Sequence, residues 1–292
     1  MKSKEMIHVA RHVIMCCGAK VEIVGKEVKV LSEPLVCSCP LMEKLYNVKN
    51  ITKETVERIM RFKIEKFGIA TSQRKFDCSL VVPYGASEMI KCCLRKGIFD
   101  CAVLVCDGAG TVITSNPDLA QAIGARLTGI IETSPIPQII QYIRNNNGYV
   151  LDEENASIDQ LGGVKRAITM GFRKIAVTIA GFNASCISKI RKMEKENVEI
   201  TIFSVCNTCV TEKDIIHIQK SDLVWASASK IIREIIGQKA VLQLGIRIPV
   251  FALTNRGKKV ILSYLEEISD TLLISRVKLP YIISEKQPKL QE

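Results

Sequence analysis

Cys106, Asp107, Gly108, Gly110 and Thr111 stand in the stretch VLVCDGAGTVITSNP, where an apolar run ends in a loop of small residues. Loops that leave the carboxyl ends of parallel strands face the ligand crevice of an open sheet, so position favours function. Gly108 and Gly110 let the backbone approach a bound group, and amides exposed in such a turn can face an anion. Ile113 stands where a dinucleotide fingerprint wants a third glycine, and no Gly-Lys-Ser/Thr follows, so a nucleotide is a poor fit. The loop therefore holds another ligand or only its own tight turn. Asp107 can serve as a base, a ligand or a turn cap. Gly85, Ser87 and Glu88 of PYGASE and Ser134 of TSPIP stand at predicted helix starts. Ser87 and Ser134 are either caps or parts of the same anion-holding site. The spacing predicts that Gly85–Glu88, Asp107–Thr111 and Ser134 line one pocket, with Asp107 or Glu88 as the acid/base of any reaction run there.

Two cysteine motifs point to a softer chemistry. CSCP ends at Cys39-Pro40, and CNTC, Cys206 to Cys209, lies between a predicted strand and a helix opened by Thr211 with Asp214 at the capping-box spacing. A helix start favours thiolate, for metal binding or disulfide exchange. One Cys-x-x-Cys is half of a zinc or iron–sulfur site, so Cys39, Cys37 or Cys106 would have to complete it. The alternatives are a redox dithiol or packed thiols, which behave as small buried hydrophobes. His8, His12 and His217 fall on predicted helices, away from any Ser or Cys partner, which argues against a hydrolase triad.

Composition narrows the classes. The chain has 292 residues, 47% of them hydrophobic but only 5% aromatic, which suits an Ile/Val/Leu/Ala core of buried strands. No run approaches the ~18 apolar residues of a membrane span. Arg11 and His12 split the apolar N-terminal segment and no cleavage site follows it, which predicts a cytoplasmic protein. There the twelve cysteines stay reduced. The net charge of +11 is scattered over predicted helix faces beside glutamates, which disfavours nucleic acid and leaves solvated faces or an acidic partner.

Residues 1–75 read as an N-terminal α+β portion: a helix over 4–17, a hairpin in KVEIVGKEVKVL and a helix near 53–67 between Thr52 and Gly68. From residue 76 short apolar runs (SLVVPYG, CAVLVCDG, GII, YVLD, KIAVTIAG, VEITIFSVC, LVWAS, IPVFALT) mostly alternate with amphipathic segments. Residues 76–292 are thus expected to form a Rossmann-like α/β core, a largely parallel sheet with helices on both faces.

EPLVCSCPL, VPYGASEMI, VLVCDGAGTVITSNP, TSPIPQII, IDQLGGVKRAI and IPVFALTNRGK together resemble the methanogenesis marker protein 8 family, an archaeal family of unknown function. The similarity runs over nearly the whole chain and places Cys39-Pro40 and Cys106–Thr111 in the family pattern. It implies a cytoplasmic accessory protein of methanogenesis that binds a small ligand or metal-containing group, near the maturation or activation of methyl-coenzyme M reductase. Beside it stand two other readings: an enzyme acting on a phosphorylated or carboxylated metabolite, and an interaction module without activity.

Overall fold

Thr52 opens a helix because its hydroxyl accepts the Thr55 amide while the Thr55 hydroxyl accepts the Thr52 amide. Gly68, in the left-handed region, ends that helix. Its buried face, Val56, Ile59, Met60 and Ile64, covers a small antiparallel sheet. The computed structural model describes residues 10–291. In chain order the N-terminal elements are β1 (Arg11–Cys16), β2 (Ala19–Val24), β3 (Glu27–Val30), β4 (Val36–Ser38), α1 (Pro40–Tyr46) and α2 (Lys53–Phe67). Then follow α3 (Ala86–Arg95), β5 (Cys101–Cys106), β6 (Gly110–Thr114), α4 (Pro117–Gly124), β7 (Gly129–Thr133), α5 (Pro137–Asn145) and β8 (Gly148–Val150). The chain continues through α6 (Gln160–Thr169), β9 (Lys174–Ala180), α7 (Ser185–Arg191), β10 (Glu199–Val205), α8 (Glu212–Ile218) and β11 (Leu223–Trp225). A π-helical segment, Ile232–Ile236, precedes β12 (Leu242–Leu244), β13 (Val250–Ala252), α9 (Asn255–Leu265) and β14 (Lys289–Leu290).

The protein is mixed α/β. Its eight-stranded sheet has the order β12-β13-β11-β10-β9-β5-β6-β8. The inner strands β11, β10, β9 and β5 are parallel neighbours, and antiparallel pairings flank them. Because β8 and β12 each reverse a reversed neighbour, six of the eight strands run the same way. Side chains alternate between two cores. Ala102, Leu104, Ala176 and Phe203 pack under α3, α4, α5 and α9, whereas Val103, Ile175, Val177 and Ile202 pack under α6, α7 and α8. The glycines after α3 and α6, Gly97 and Gly171, have φ of +66° and +98°, as helix-ending positions require.

The second sheet, β3-β2-β1-β7, corrects three expectations. Residues 11–17 of the expected first helix are strand β1 and its turn; residues 4–9 lie outside the described residues. GII belongs here as β7, antiparallel to β1, not in the parallel series. SLVVPYG is a looping segment without strand, so the helix α3 starts from a loop instead of from the sheet. The last described residues return to pair with the N-terminal part, β14 against β4.

Candidate functional site

The expected ligand loop of Asp107–Ala109 is a hairpin turn: β5 and β6 pair antiparallel up to Cys106↔Gly110. What it holds is the neighbouring chain. The Asp107 carboxylate, fully buried, accepts the Ala70 amide at 2.6 Å and the Arg74 Nε at 3.1 Å. Arg74 donates onward to the carbonyls of Lys75, Ala122 and Ile123. Gly108 donates its amide to Thr133 Oγ1 and its carbonyl accepts the Ile136 amide. Gly110, at φ +67°, lies under the Ala156 carbonyl, where a Cβ would meet oxygen at 2.1 Å. Thr111 donates to Gln160 Oε1 and accepts the Asp159 amide. Ser134 exchanges two hydrogen bonds with the Arg11 backbone. His12 is fully buried, bonded through Nδ1 to Thr133 Oγ1, and burial lowers its pKa.

The cavity lies elsewhere, at the carboxyl ends of the parallel strands. It measures ≈ 360 Å³ and is bordered by Val105, Ala180, Val205, Cys206 and Trp225 from the sheet end. Met15 of β1, Cys17 and Gly18 of the β1–β2 turn and Gly129 and Ile130 of β7 close it from the small sheet. The predicted site is thereby divided. Gly85, Ser87 and Glu88 border the cavity, whereas Cys106, Asp107, Gly108, Gly110, Thr111 and Ser134 do not. Glu88 folds back over Gly85, accepting the Val82 amide at 2.6 Å, Gln121 Nε2 at 3.1 Å and the Ser87 hydroxyl at 3.0 Å. A Cβ at Gly85 would sit 2.0 Å from Glu88 Oε2, so a larger residue there would displace the carboxylate. Trp225 Nε1 donates to the Tyr84 carbonyl and ties this loop to β11.

Two features of the cavity go beyond packing. Among the described residues nine non-glycine positions have positive φ, and five of them, Cys17, Tyr84, Arg126, Cys206 and Ser227, border it. Backbone held in this region costs of order ~1–3 kcal/mol per residue and collects at functional sites. The second is Arg126. Its Nε is buried without a hydrogen-bond partner, and among the described residues no carboxylate pairs with it. A buried donor left unpaired costs ~1–3 kcal/mol, more when charged.

The cysteines divide in the same way. Cys106 sits in the core under α3–α5, its pKa pushed well up by burial and by the Asp107 charge. Cys39 and Cys206 both border the cavity, joined by Cys17. Burial raises Cys39 and pushes Cys206 up to about 11. Cys209, raised by burial, touches the Met15 sulfur at 3.9 Å. Cys37 donates to the β14 carbonyls. Among the described residues no three His, Cys, Asp or Glu side chains are grouped to hold a metal ion. Thr211 and Asp214 do form the expected cap of α8. His217, expected to lack a partner, bonds Ser188 at 2.7 Å; both are half-buried, on α8 and α7.

Residues 12–266 match a family described as "Uncharacterized protein conserved in archaea (DUF2099)". The chain belongs to this family. It is also similar to an uncharacterized protein of Methanocaldococcus jannaschii, 39% identical over 281 residues, 96% of this chain and 98% of that protein. The DUF2099 match spans every residue around the cavity. Among the described residues of this DUF2099 member no helix is long and apolar enough to cross a membrane. Sequence reasoning missed Arg126, Cys17 and Trp225. Arg126 and Cys17 stand at left-handed positions where the residue itself is not glycine, while Trp225, at the end of the expected strand LVWAS, could have been found from that strand end.

Proposed function

We propose that this DUF2099 protein binds a small molecule with an apolar body and an anionic group in the cavity at the carboxyl ends of β5, β9, β10 and β11. The observation that carries the reading is Arg126, whose buried Nε has no partner in a largely apolar cavity. An arginine there favours a carboxylate, sulfonate or phosphate. The five left-handed residues around the cavity support it. The wider role we infer is that of a cytoplasmic accessory protein of methanogenesis, linked to the maturation or activation of methyl-coenzyme M reductase. Support comes from the resemblance of CDGAGT, TSPIP and IPVFALT to methanogenesis marker protein 8 and from the archaeal family. A second reading, acid/base catalysis on a carboxylated or phosphorylated metabolite, has Glu88 in the cavity wall in its favour.

The test is titration with 8-anilinonaphthalene-1-sulfonate, which combines an apolar body with an anion. The folded protein should bind one equivalent, and Arg126→Ala should weaken binding by roughly 10- to 100-fold, the ~1.5–3 kcal/mol of a charged hydrogen bond. N-phenyl-1-naphthylamine, the same body without the sulfonate, should bind both proteins alike. Equal affinity of the sulfonate for wild type and Arg126→Ala would end the proposal.

A further inference from the structure

Aromatic residues make up only 5% of the chain, with a single tryptophan. Among the described residues that border the cavity two are aromatic, and they are joined: Trp225 Nε1 donates to the Tyr84 carbonyl at 2.9 Å. Both are fixed from outside the cavity. The Trp225 and Phe203 rings stack with their centres 5.9 Å apart and 22° between their planes, and Phe203 is fully buried. Phe203 is held in turn by Phe99, edge-on at 6.0 Å. The Tyr84 ring lies over Gly245, where a Cβ would stand 3.1 Å from it, and the Tyr84 backbone is left-handed at φ +59°. Trp225 is nevertheless only half-buried, and it borders the cavity. An indole held in this way presents a rigid surface whose rotamer is set before anything binds. The thioethers of Met15 and Met42, which also border the cavity, are good partners for the edge of a ring.

We propose that the apolar body of the ligand is a planar aromatic or heteroaromatic ring that stacks on Trp225 while its anionic group pairs with Arg126. The inference rests on the reading of the cavity as a site for an apolar anion and names the class of molecule it takes. A preset indole loses little conformational freedom when a ligand settles on it. Offset stacking then adds to area burial, an addition open to a ring but not to a saturated body. Area alone argues the other way, because a saturated bicycle of the same skeleton presents at least as much apolar surface as its aromatic counterpart. A preference for the ring is therefore a signature of stacking and not of burial. The cavity, at ≈ 360 Å³, falls within the ~300–1,000 Å³ of small-molecule sites.

The full-length protein is titrated by calorimetry with 2-naphthoate and with decahydro-2-naphthoate, which share a carbon skeleton and a carboxylate. 2-Naphthoate should bind at least about threefold more tightly, within the roughly two- to tenfold that stacking adds. Trp225→Leu should bring 2-naphthoate down to the level of the saturated acid, and Trp225→Phe should keep part of the preference. Arg126→Ala should weaken both acids alike, since it acts on the carboxylate. The comparison within wild type keeps the test decisive if Trp225→Leu fails to fold. A saturated acid that binds as tightly as 2-naphthoate or more tightly, or an unchanged preference in folded Trp225→Leu, overturns the proposal and leaves the anion site at Arg126 standing. Binding of neither acid ends both readings.

Discussion

Asp107 and Arg74 both have fully buried side chains, and their pairing is what fixes the hairpin of β5 and β6 onto residues 70–74. Burying two charges costs several kcal/mol per ion, which their attraction and the amide and carbonyl bonds around them offset. Removing one partner leaves the other charge uncompensated. Asp107→Asn should therefore lower the free energy of unfolding by ~3–5 kcal/mol in urea titrations. A catalytic carboxylate behaves differently, with stability kept and turnover lost. A loss under ~1 kcal/mol would show that the pair does not anchor the turn.

At the scale of elements, the turns decide. Gly97 and Gly110 have nearly equal φ, +66° and +67°, but a Cβ on Gly97 meets nothing within 4 Å while one on Gly110 runs into the Ala156 carbonyl. Gly97→Ala should cost ~1–2 kcal/mol, the left-handed penalty alone. Gly110→Ala should cost clearly more, because the carbonyl above it belongs to backbone that cannot rotate away. Equal thermal shifts for the two would refute this account of the hairpin. Helix α2 was legible from its ends, since Thr52 and Gly68 act locally. Strand β1 was not, because it lies between β2 and β7 and buries His12, Val13 and Ile14 in succession, erasing the alternation that marks a strand. CDGAGT was read as a loop leaving the carboxyl end of a parallel strand, although Asp-Gly followed by the alternating TVIT is a hairpin signal. Gly85, Ser87 and Glu88 border the cavity, without the CDGAGT and TSPIP residues expected to share it. Arg126 and Cys17 could not be placed there from sequence, because the tertiary approach of the two sheets, not any local pattern, brings them there.

The whole molecule joins its two sheets in ways that cross the expected boundary at residue 75. Strand β7 comes from residues 129–133 yet completes the small sheet, Ala70 and Arg74 grip Asp107, and β14 returns to β4. The core beneath α2 also takes in Ile130 and Ala228. Parts that share a strand, a buried ion pair and a core should unfold together. Trp225, the single tryptophan, reports on the large sheet beside the cavity. A Tyr46→Trp substitution in a Trp225→Phe background would report on the surroundings of α2, where Tyr46 packs edge-on to Phe62. The expected result is the same urea midpoint from α2 as from a sheet-wide circular dichroism signal recorded on that same protein, and one transition from Trp225 and circular dichroism in wild type. An earlier midpoint at Tyr46→Trp would mean that the small sheet and α2 melt as a separate unit, and the cavity they close would then open before the fold is lost.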